Sequence, residues 1–277
     1  MSEILTHLIN YAQNHTFIQA VGTEGSVNDT ATGSDSWQDI DVTYFVADPT
    51  AFDFTAWVTE FGQPSICQHA EHSNLFGTHS NQWRIFLVQF VNSTRIDLKI
   101  APMADLSSYL KNDSLNTIVW AQDPALSSRP TDDHSHRQFA PTQAAFNAVL
   151  NEFYWCVGNV AKGLARKQFL YASEMNAQHV RPQLLQMLVW TVACDHPEGF
   201  NPGVYDKYLE PELTKDVRVR LQQTYRQENL KKLRHSTLIE AALMIWAQQQ
   251  VIQKTNLALP SYLATRMRQL DDWINRL

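Results

Sequence analysis

Trp37-Gln38-Asp39-Ile40-Asp41-Val42-Thr43-Tyr44-Phe45-Val46 sets two carboxylates one residue apart at the head of an apolar run. Asp39 through Val46 reads as a strand, ended by Asp48-Pro49. Side chains alternate along a strand, so Asp39 and Asp41 share a face with their Cα atoms about 6.5 Å apart. Ile40, Val42, Tyr44 and Val46 make the other face apolar.

The flanking sequence extends this reading. Upstream, Phe17 through Val21 reads as a strand that enters the turn Gly22-Thr23-Glu24-Gly25-Ser26. Downstream, Arg84 to Val91 and Thr94 to Ile100 are two β-rich runs around the polar pair Asn92-Ser93, which predicts a hairpin. Alternation in the second run puts Arg95, Asp97 and Lys99 on one face. If that strand neighbours the first, Asp97 completes a three-carboxylate cluster, with Arg95 or Lys99 able to pair with it or reach a phosphate. Acids at strand ends are often only solvated. Here the third acid lies inside an apolar strand, and converging buried acids invite a cation. Oxygen-only donors favour Mg²⁺ or Mn²⁺ over zinc. Gly25 lets backbone approach a phosphate and Ser26 adds a hydroxyl. No GxxxxGK[ST] loop is present.

Composition bounds the function classes. The 277 residues are 44% hydrophobic and 18% charged, as in a globular protein, and no apolar run approaches a membrane span. Net charge is −6, but residues 1–125 hold 14 acids against 4 bases and residues 126–277 hold 14 against 18. An acidic half suits cations and a basic half suits phosphates, while the overall sign speaks against a nucleic-acid partner. Cys67, Cys156 and Cys194 are too widely spaced for a disulfide framework or a CxxC metal site. Met1-Ser2-Glu3 has no basic start or apolar block of a signal peptide, so a cytoplasmic location is expected.

Along the chain, Ser2 is expected to cap a first helix, and a helix with Phe52, Trp57, Val58 and Phe61 inward ends at Gly62. The stretch from Asp123 to Pro141 reads as a linker. Beyond it, Phe146, Val149, Leu150, Phe153, Val157, Val160, Ala161 and Leu164 recur at helical spacing. Further helices are expected from Pro182, from Pro211, over 230–253 and over 260–277. The fold class is therefore α+β, a mixed-sheet domain over 1–130 followed by an all-α bundle over 131–277. His69, His72, His79, His134 and His136 lie in polar stretches without helical pairing and read as solvated rather than metal-bound. Ser26 has no His–Asp partnership for a hydrolase.

Taken together, G-S-x-N at 25–28, W-Q-D-I-D-V-T-Y-F-V at 37–46 and R-I-D-L at 95–98 resemble the nucleotidyltransferase domain of aminoglycoside 6-adenylyltransferases, the streptomycin-modifying family. Phe153-Tyr154-Trp155, the run from Val160 to Arg166, the run from Val180 to Trp190, and Asp206-Lys207-Tyr208-Leu209 are similar to that family's helical half. The resemblance implies a nucleotidyltransferase-like sheet and transfer of AMP from ATP to a hydroxyl of streptomycin, with release of pyrophosphate. It implies Asp39 and Asp41 as Mg²⁺ ligands, Asp97 as general base beside the metal, and Gly25 and Ser26 on the triphosphate. Lys162, Arg166, Arg181 and Lys207 become candidates for phosphate. A guanidinium-bearing acceptor wants carboxylates and aromatic faces, for which Glu152, Tyr154 and Trp155 are candidates. One departure stands out: the family commonly has Arg after the GS pair, and here Val27 occupies that position, with Lys99 the nearest compensating cation. Another acceptor, or a catalytically idle nucleotide- or drug-binding module, are the alternatives.

Overall fold

In a computed structural model of the chain, residues 3–29, 33, 35, 37–69, 82–126 and 128–276 are described. The chain forms two compact units, Met1–Ser135 and His136–Leu277.

The first unit is built on a six-stranded mixed sheet in the order β3-β4-β5-β2-β1-β6. Its strands are β1 (Ile18–Thr23), β2 (Ile40–Val46), β3 (Pro64–His69), β4 (Arg84–Phe90), β5 (Arg95–Pro102) and β6 (Thr117–Ala121). β2 lies at the centre, antiparallel to β1 and parallel to β5. It is buried on both faces, which is why it is apolar beyond Asp41 except at Thr43. On one face, α1 (Glu3–Asn14) and α2 (Phe54–Phe61) bring Leu8, Tyr11, Trp57 and Phe61 onto Val42, Tyr44 and Phe86. The Tyr44 hydroxyl donates to the Leu8 carbonyl at 2.9 Å, which satisfies a fully buried phenol. On the other face, α3 (Leu106–Asn112) packs Leu106 and Tyr109 against Ala20, Phe45 and Ala101.

The expected hairpin is β4–β5, and Ser93 takes φ +69° in its turn. Asp53 caps α2 through the Ala56 amide and Gly62 stops it at φ +126°. The edge strands β3 and β6 and helix α3 are additional to the elements read from the sequence. Ser2 lies outside the described residues. The stretch read as a linker is instead tied back to the first unit at its centre: Arg129 Nε donates to the Asn116 carbonyl at 2.9 Å, and Thr131 Oγ1 to the Asn28 carbonyl at 2.7 Å. Polar residues there satisfy backbone carbonyls, so the composition of a tether does not make one.

The second unit is helical. α4 (Gln143–Ala165), capped by Thr142, buries the stripe Phe146, Leu150, Phe153, Val157, Val160 and Leu164. Around it run α5 (Phe169–Met175), α6 (Arg181–Ala193), α7 (Leu209–Glu212), α8 (Lys215–Gln223), α9 (Leu230–Lys254) and α10 (Leu263–Asn275). Gly163 lets α5 approach α4: a Cβ there would stand 2.8 Å from that of Ala172. Pro182 does sit in the first turn of α6, but a π-helical turn over Asn176–Val180 joins α5 to α6 without a loop. Pro211 lies within the four-residue α7, and α8 starts only after Thr214, because Leu213 is extended.

Candidate active site

β2 and β5 run parallel with Asp41 opposite Asp97 and Thr43 opposite Lys99. Partners across a ladder share a face, so both acids lie on the side of Phe45 and Ala101, the face covered by α3. Asp39, one residue before β2, joins them through Arg95, whose Nη1 is 3.5 Å from Asp39 Oδ2. Arg95 also grips Asp97 with two hydrogen bonds, Nε to Oδ1 at 3.0 Å and Nη2 to Oδ2 at 2.7 Å. The structure thus brings Asp39, Asp41 and Asp97 together.

A fourth carboxylate, Glu24, was not singled out by the sequence reading. The Glu24 amide donates to the Asp41 carbonyl at 3.3 Å, which carries the β1–β2 pairing into the turn. Its side chain accepts from Thr43 Oγ1 and from Lys99 Nζ. Lys99 Nζ also lies 4.0 Å from Asp41 Oδ1. Burial works against charge on Lys99, but Glu24 and Asp41 outweigh it and its pKa is raised. Burial pushes the Asp41 carboxyl up to about 7; Lys99 pulls it back, while Glu24, Asp97 and Asp39 add to the rise. The acid immediately before Gly25-Ser26 was the only available signal for Glu24.

Gly25 sits at φ +61°, and a Cβ there would meet Asp41 Oδ2 at 3.4 Å. The GS turn is therefore laid against the Asp41 carboxylate, in a conformation that favours glycine. Gln38 Nε2 donates to Ser26 Oγ at 3.2 Å, orienting the hydroxyl. Asn28 is structural: it accepts from Thr23 Oγ1 and donates to the Leu115 carbonyl at 2.7 Å.

Four carboxylates against Arg95 and Lys99 leave two uncompensated negative charges when all are ionised. One divalent cation balances them, and the acidic donors are all oxygen, so the residues fit a hard ion such as Mg²⁺. Asp39, Asp41 and Asp97 would hold it.

The candidates in the helical unit divide. Lys162 is exposed, bonded to Asn159 at 3.3 Å and set over the Tyr171 ring. Arg166 and Lys207 are exposed. Arg181 is a correction: its Nη2 donates to Asn176 Oδ1 and the Thr224 carbonyl, both at 3.1 Å, and lies 3.5 Å from the fully buried Glu240. Its guanidinium is thus paired within the helical unit. Tyr154 is likewise core, with its hydroxyl 3.3 Å from Gln248 Oε1, whereas Trp155 is exposed. Glu152 is half exposed and accepts from the Cys156 thiol at 3.2 Å. Of the histidines, His69 stands edge-on to Phe54 and Phe86 on β3, and His134 is exposed beside Asp132. His72 and His79 lie outside the described residues.

Among the described residues, no helix is long and apolar enough to cross a membrane. A family model described as streptomycin adenylyltransferase matches residues 1–272. A Campylobacter jejuni protein named aminoglycoside 6-adenylyltransferase is 30% identical over 230 residues, covering 82% of this chain and 79% of that protein. One of the same name from Bacillus subtilis (strain 168) is 29% identical over 226 residues, covering 80% of each. A third, from Staphylococcus aureus, is 25% identical over 263 residues, covering 94% and 93%.

Proposed function

Because the chain belongs to the streptomycin adenylyltransferase family, we propose that it transfers AMP from ATP to a hydroxyl of a streptomycin-like aminoglycoside and releases pyrophosphate. The observation that carries this reading is the pairing of Asp41 with Asp97 on adjacent parallel strands, with Asp39 alongside.

Asp39, Asp41 and Asp97 would hold Mg²⁺, and the ion would supply neutralisation of triphosphate charge and Lewis acidity. Gly25 brings backbone close to a phosphate, and Ser26 offers its hydroxyl. Asp97 takes the proton of the acceptor hydroxyl on a carboxylate oxygen as that hydroxyl's oxygen bonds to the α-phosphorus and the bond to the pyrophosphate oxygen breaks. Arg95 gives up one of its two bonds to Asp97 for this step and keeps Asp39 as a partner. Lys99, paired with Glu24 and 4.0 Å from Asp41, is the cation beside the cluster where Val27 offers none. Lys162, Arg166 and Lys207 are assigned to phosphate, and Trp155 to the acceptor as an aromatic face for a guanidinium.

Mass spectrometry of streptomycin after incubation with the protein, Mg²⁺ and ATP tests the reading. An acceptor heavier by one adenylate is expected. Unchanged streptomycin, with the adenylate on another acceptor or on none, would overturn the substrate assignment.

A further inference from the structure

We propose that Glu152, Cys156 and His179 form a zinc site in the helical unit, separate from the carboxylate cluster and independent of the reaction assigned to it. Glu152 and Cys156 stand four residues apart on α4 and therefore share a face one turn apart. His179 comes from the π-helical turn between α5 and α6. Such turns reset which side chains face a neighbouring helix and are frequent at functional positions.

The three ligand atoms lie within 4.8 Å of one another. Cys156 Sγ is 3.2 Å and His179 Nδ1 is 3.8 Å from Glu152 Oε1. A tetrahedral zinc with bonds of roughly 2.0–2.3 Å has ligand-to-ligand edges of roughly 3.3–3.8 Å. Two edges are thus already close to that range, and the third is no longer than 4.8 Å.

Thiolate, imidazole and carboxylate together favour zinc, in contrast to the oxygen-only cluster on β2 and β5. Cys156 is buried while Glu152 and His179 are half exposed, so an ion has a way in. His179 also lines a cavity of about 280 Å³ with Leu170, Tyr171, Glu174, Met175 and Gln178, and a water would complete the four ligands. Binding forms a Zn–S bond, breaks the thiol S–H bond and sends that proton to solvent. The ion would pin α4 to the π turn.

Cobalt(II) reads this site directly, because a cobalt–thiolate bond gives a near-ultraviolet charge-transfer band that oxygen ligands do not. The full-length protein is titrated with Co²⁺ in excess Mg²⁺, which occupies the carboxylate cluster. The expected result is a band that saturates at one equivalent and is displaced by Zn²⁺. It should be lost in Cys156→Ser and in His179→Ala, the latter a surface change that leaves the core intact. No band in the wild type, or a band that persists in either variant, would overturn the proposal.

Discussion

Replacing Asp97 by Asn separates the chemistry from the fold. The amide keeps the shape and one acceptor for Arg95 but can no longer take a proton. A positioned general base contributes about 10²–10⁴ in rate, so kcat should fall by about 3–5 kcal/mol of transition-state stabilisation. Stability should move little. The two Arg95–Asp97 bonds at 3.0 and 2.7 Å are charge-assisted, but the Arg95 side chain is 47% exposed. Solvent and Asp39 therefore compensate the guanidinium, and removing one of four crowded acids relieves repulsion on Asp41. The net cost is about 1 kcal/mol or less, a few degrees at most in Tm. The assay is steady-state adenylate transfer alongside a thermal melt. A well-folded Asp97→Asn protein that turns over within about threefold of the wild type, well short of the loss expected for a base, would refute Asp97 as the base.

Asp41→Asn should cost two or more decades in turnover, about 3 kcal/mol, and raise the Mg²⁺ concentration needed for half-maximal rate; an unchanged Mg²⁺ dependence would count against its role as ligand. Gly25→Ala forces an L-residue to φ +61° beside Asp41, which costs about 1–2 kcal/mol and should raise the KM for ATP more than that for the acceptor. Burial pushes Glu240 from 4.5 to about 7 against the pull of Arg181 and Asn176. Its folded value exceeds its unfolded one, so its contribution is full below about pH 4.5 and is lost as pH rises through about 7, roughly 3 kcal/mol in all. Denaturant titrations from pH 5 to 8 should therefore show stability falling more steeply in the wild type than in Glu240→Gln, and equal slopes would contradict this.

The carboxylate face is legible because it rests largely on local alternation. Arg95, Asp97 and Lys99 share a face of β5 by strand period, while Asp39, just before β2, is joined to them through Arg95. Their mutual register was not legible, since β2 and β5 pair across some fifty residues of chain. Glu24 is illegible for the same reason: its side-chain partners are Thr43 and Lys99, 19 and 75 positions away. β3 is exposed along most of its length, so it lacks the apolar period that marks β2. In the helical unit the stripe of α4 is readable from spacing. Charge alone does not reveal that Arg181 has a buried partner 59 residues on. Nor does periodicity reveal a π turn, whose one extra residue per turn is set by packing.

The fate of the two ends of ATP tests adenylyl transfer most directly. ATP labelled in both the α- and γ-phosphates is incubated with the protein, Mg²⁺ and streptomycin. The expected result is α-label on the aminoglycoside and γ-label in pyrophosphate, in equal amounts. The γ-label on the acceptor, or both labels remaining together in ATP, would contradict it.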